Sequence, residues 1–135
     1  MSDYQELRDF LDRYGYEGES FEDITKLFLG NKNITELPPH GFTLLPKLTY
    51  LYLQYNQFTH LPGGGLRNLP NLKDLSLDNN QLTHLPEYIG EYTTLRELYI
   101  KNNPLQYIPF SFKKLNVGMT FEKMEEDWIV KEHTK

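Results

Sequence analysis

Apolar residues in this chain fall into one pattern that recurs down most of its length. From Ile24, Leu48, Leu72 and Leu95, spaced by 24, 24 and 23 residues, the chain repeats L-x-x-L-x-L-x-x-N-x-L. The second unit reads Leu48, Leu51, Leu53, Asn56, Phe58 and the third Leu72, Leu75, Leu77, Asn80, Leu82. The fourth reads Leu95, Leu98, Ile100, Asn103, Leu105. The first reads Ile24, Leu27, Leu29, Ile34, with Lys32 where the others have Asn. The L-x-L alternation has the period of a strand, so Leu51 and Leu53 point one way and Tyr50, Tyr52 and Gln54 the other. One unit cannot bury its apolar side alone, but stacked units can, with their strands in parallel ~4.8 Å apart.

Each unit closes with Leu37-Pro38, Leu61-Pro62, Leu85-Pro86 or Ile108-Pro109. A second apolar pair follows in phase: Phe42 and Leu45, Leu66 and Leu69, Ile89 and Tyr92, Phe112 and Leu115. In these units the sequence resembles the leucine-rich-repeat family, from residue 24 to about 115. The resemblance implies an α/β repeat solenoid: a short right-handed horseshoe with parallel strands on its concave face and helical caps at both ends. It also implies binding of a protein partner through that face. The division expected is an N-terminal cap over 1–23, repeats over 24–47, 48–71, 72–94 and 95–115, and a C-terminal cap or tail over 116–135.

An open solenoid needs its ends covered. Ser2 with Gln5 fits a capping box, and Leu7, Phe10, Leu11 and Tyr14 follow helical spacing, so residues 2–14 read as a helix stopped by Gly15. Residues 118–132 read as a second helix, with Phe121, Met124 and Trp128 on one face. Trp128 either covers the last unit or docks on another molecule.

The Asn positions have a structural reading. The chain turns inward after each strand and takes backbone N–H and C=O groups away from water, and an amide can satisfy both. Asn56, Asn80 and Asn103 would form a ladder.

The outward positions are the candidate binding surface. They are Lys26, Tyr50, Asp74 and Glu97; then Phe28, Tyr52, Ser76 and Tyr99; then Gly30, Gln54, Asp78 and Lys101; and at the strand end Asn31, Tyr55, Asn79 and Asn102. One end is aromatic (Phe28, Tyr50, Tyr52, Tyr55), and the other is charged (Asp74, Asp78, Glu97, Lys101) around Tyr99. Exposed Tyr suits a binding surface, while strand propensity and cross-strand stacking also favour it. The face would project only ~300 Å², against about 800 Å² per partner in a standard interface. Flanking loops such as Pro62-Gly63-Gly64-Gly65 would have to join in, or the complex would be weak.

Charge is unevenly placed. Residues 1–23 carry a net charge of −6, residues 24–115 +3 and residues 116–135 −2, for −5 overall. That balance lacks the basic stripe of a nucleic-acid binder. No apolar run approaches the ~18 residues of a membrane span, and the start of the chain has no secretory pattern. With no cysteine, disulfides, thiolate nucleophiles and thiolate metal sites are excluded. A cytoplasmic location is expected, or a host cytoplasm for an effector or viral protein.

Other chemistry is sparse. Glu36, His60 and His84 share a repeat position and would form a column. It reads as a solvated ridge, lacking a third rigid metal ligand. Ser76 lies between Asp74 and Asp78 but outside any nucleophile motif, and Asn33-Ile34-Thr35 has the form of a glycosylation sequon. The expectation is therefore a non-catalytic interaction module with no metal and no cofactor, acting as adaptor, mask or inhibitor. It would be a monomer or weak homodimer. The alternative is a structural, self-associating repeat protein.

Overall fold

The structure is a computed structural model that describes residues 2–61 and 66–115. The expected second helix, Trp128 and the glycine loop lie outside the described residues.

Helix α1 spans Asp3–Arg13, and the Ser2 hydroxyl accepts a hydrogen bond from the Gln5 N–H at 3.1 Å. The reciprocal arm of the expected capping box is not made, because the Gln5 amide donates instead to Asp9 Oδ1 at 2.8 Å. Leu7, Phe10 and Leu11 are buried. After Tyr14 the chain leaves the helix through Gly15 at φ +98°, a conformation that glycine adopts without steric cost.

Four short strands follow: β1 (Lys26–Phe28), β2 (Tyr50–Tyr52), β3 (Asp74–Ser76) and β4 (Glu97–Tyr99). They form one parallel sheet in chain order. The register runs Lys26, Tyr50, Asp74, Glu97, then Leu27, Leu51, Leu75, Leu98, then Phe28, Tyr52, Ser76, Tyr99. It therefore steps by the repeat length, which keeps every inward Leu in one column. Backbone pairing continues beyond each strand: Leu29, Leu53 and Leu77 donate to the carbonyls of Tyr52, Ser76 and Tyr99 at 2.7–2.9 Å.

The return path of each unit lies opposite the sheet. It contains 3₁₀ turns at Gly41–Leu44, Glu87–Glu91 and Phe110–Lys114. Phe42, Leu45, Leu66, Leu69, Ile89, Tyr92 and Phe112 are buried there, and Leu115 is half-buried against the core. Two glycines permit close approach. A Cβ on Gly41 would lie 2.7 Å from Pro38 Cβ and 3.3 Å from Leu7 of α1, and one on Gly90 would overlap the Ser111 backbone. One apolar core thus runs from α1 through all four strand columns.

Candidate binding face

The inward Leu columns force the alternate residues of each strand to the opposite side. On that side the Phe28 and Tyr52 rings stack, with centroids 5.3 Å apart and planes at 10°. Tyr50 lies nearly parallel to Tyr52 at 6.5 Å. Lys26 places its ammonium 5.3 Å from the Tyr50 centroid, within cation–π range. Phe28, on the edge strand, is 57% exposed.

Across the sheet the chemistry changes. Asp74 and Glu97 are register partners on adjacent strands. The Tyr99 hydroxyl donates to Glu97 Oε1 at 3.3 Å. Burial raises the Tyr52 phenol above its ordinary value, and the charge of Asp74 raises it further. Burial also raises Tyr99, followed by the charges of Glu97 and Asp74. Asp78 is anchored: its Oδ1 accepts the Lys101 backbone N–H at 2.8 Å. Lys101 itself is exposed.

Ser76 keeps its place in the outward row but is buried there. Its small side chain sits in register between Tyr52 and Tyr99, and only 6% of the residue is exposed. The strand-end positions also differ from the expectation. Asn31, Tyr55, Asn79 and Asn102 are turn residues in the left-handed region, at φ 58–60°. The signal was in the sequence: three of the four are Asn, which tolerates that conformation better than most residues. Tyr55 does not share this tolerance, yet it occupies the position with 56% of its surface exposed.

The repeat Asn residues are held inside. Asn56 Nδ2 donates to Leu29 O at 2.8 Å and Leu53 O at 3.0 Å, while its Oδ1 accepts from the Lys32 and Ile34 N–H groups. Asn80 bridges Leu53 O, Leu77 O and the Phe58 N–H, and Asn103 bridges Leu77 O, Ile100 O and the Leu82 N–H. Each amide therefore ties its own unit to the one before it. The first repeat has no preceding strand, so Lys32 at that position is exposed and contributes only its backbone N–H.

His60 and His84 are exposed, and each ring Nδ1 meets the preceding Thr hydroxyl, at 3.1 and 3.2 Å. Among the described residues no group of three His, Asp or Glu side chains is placed to hold a metal ion. No helix among them is long and apolar enough to cross a membrane.

The leucine rich repeat family profile matches residues 22–82 and, overlapping, 47–105. The chain belongs to the leucine-rich-repeat family. Among solved structures, a leucine-rich-repeat protein of Leptospira interrogans is similar at 27% identity and TM-score 0.50 over 75% of this chain. This leucine-rich-repeat chain spans 31% of that protein's length. Among curated proteins, none matches. Members of the family are generally non-catalytic and typically bind proteins.

Proposed function

We propose that this protein is a monovalent interaction module whose strand face binds a protein partner, acting as adaptor, mask or inhibitor. The observation that carries the reading is the ring array Phe28–Tyr52–Tyr50, exposed at Phe28 and half-buried at the two tyrosines, next to the carboxylates Asp74 and Glu97. Rigid aromatics bring large contact area at low entropic cost, and Tyr is a frequent hot-spot residue. The binding set is Phe28, Tyr50, Tyr52, Tyr55, Asp74, Asp78, Glu97, Tyr99 and Lys101. Residues 2–23 serve as the N-terminal cap on four repeats over 24–115, and the module works in the cytoplasm.

The test is affinity capture and identification of a partner, then calorimetry with the purified pair. A Tyr52→Ala/Tyr99→Ala variant of unchanged circular dichroism and melting temperature should lose at least tenfold in affinity, or about 1.4 kcal/mol. Equal affinity would remove the strand face from the interface.

A further inference from the structure

We infer that the centre of the strand face is a receptor for a cationic side chain, and that the partner presents an exposed arginine to it. This deepens the proposed function and rests on the strand face being the interface.

The first observation is electrostatic. Asp74 and Glu97 sit directly opposite one another on β3 and β4. Like charges at such positions repel. Neither makes an ion pair among the described residues, where Arg8 pairs with Asp12 in α1. The groups facing these carboxylates are phenols, Tyr52 on one side and Tyr99 on the other. The second observation is an unmet acceptor. Asp74 Oδ1 is out of contact with water and has no hydrogen-bond partner among the described residues. A carboxylate oxygen withdrawn from water without a donor is costly, and a charged donor offsets that cost best.

The third observation is the aromatic platform beside the carboxylates. Ring faces of Tyr attract cations, and on this sheet Lys26 already occupies the Tyr50 ring in that way. A guanidinium fits the remaining features better than an ammonium. It is planar, stacks on a phenol, and carries a fork of N–H donors that can reach two carboxylates. An acidic partner surface would meet the Asp74–Glu97 pair head-on and be rejected.

The test uses the full chain, ¹⁵N-labelled, titrated with N-acetyl-arginine amide and, separately, with the uncharged isostere N-acetyl-citrulline amide. Arginine should shift the amide resonances of residues 74–76 and 97–99 at millimolar concentration, less so in high salt, and citrulline should not. An Asp74→Asn/Glu97→Gln variant should keep its circular dichroism and weaken arginine binding about tenfold or more. Equal shifts from the two probes, or shifts confined to other residues, would overturn the inference. So would an unchanged affinity in the neutralised variant. A partner lost by Tyr52→Ala/Tyr99→Ala but kept by Asp74→Asn/Glu97→Gln would leave the strand face as the interface and sink the cation receptor alone.

Discussion

The Tyr16 hydroxyl accepts a hydrogen bond from the Phe28 N–H at 2.8 Å. Phe28 lies on β1, the edge strand, so this N–H points away from the sheet. An exposed row of such groups invites pairing with another chain, and the phenol blocks it. Arg8 holds the segment that carries Tyr16, donating to Tyr16 O and Glu19 O, both at 2.7 Å, while pairing with Asp12 at 3.0 Å. Tyr16→Phe should cost about 1 kcal/mol in urea denaturation and raise self-association at high concentration. Wild-type stability and an unchanged sedimentation profile would show that water serves Phe28 equally well.

The amide ladder makes a contrast between two positions of the same repeat. Asn80 is 6% exposed and joins buried backbone groups of three segments. Asn80→Ala leaves several of them unsatisfied and should cost about 1–3 kcal/mol or more. Lys32→Asn restores the repeat consensus but has no earlier strand to bridge, so its effect should stay within about 0.5 kcal/mol. Chemical denaturation of both variants decides this, and a clear gain from Lys32→Asn would contradict the geometry.

Tyr55 holds φ 58° where the equivalent residues Asn31, Asn79 and Asn102 hold 58°, 60° and 60°. Non-glycine residues are strained there, Asn least among them. Tyr55→Asn should therefore stabilise the protein by about 0.5–1 kcal/mol while weakening the partner complex, the trade-off expected where strain is kept for function. A thermal melt without an increase would remove the strain argument. An increase with full binding would remove Tyr55 from the interface.

Two buried phenols make the fold sensitive to alkaline pH. Burial pushes the Tyr88 phenol from 10.0 up to about 12, and burial drives Tyr92 higher still, with its hydroxyl donating to Leu66 O. A raised pKa means the folded state holds its proton more tightly than the unfolded chain does. Stability is then fully present below pH 10 and falls as pH rises through 12. Guanidinium midpoints measured at pH 8, 10 and 11 should drop only above pH 10, and Tyr88→Phe should flatten that drop. A drop of the same slope in Tyr88→Phe would assign the transition to other groups.

Much of the architecture was readable because the repeat is periodic. Ile24, Leu48, Leu72 and Leu95 mark the interval by which the strands pair, and the L-x-L alternation separates core columns from the opposite face. The aromatic and carboxylate ends of that face could be read by aligning units. The low exposure of Ser76 was not legible, because alternation gives a side chain's direction and not the size of its neighbours, here Tyr52 and Tyr99 in register on either side. The left-handed turn at the strand-end residues Asn31, Tyr55, Asn79 and Asn102 was not read from the sequence, although three of the four are Asn.

What the linear chain determined by itself is the repeat, the parallel register and the identity of the core, since these follow from local periodicity and the need to bury it. What only the tertiary structure decided are relations between distant residues: Tyr16 closing the edge at Phe28, each Asn bridging back to the previous unit, and Gly90 yielding to Ser111. To these belongs the Asp74 oxygen left without a donor. Hydrogen-bond satisfaction and charge compensation depend on which groups are withdrawn from water together, and that is a property of packing in three dimensions.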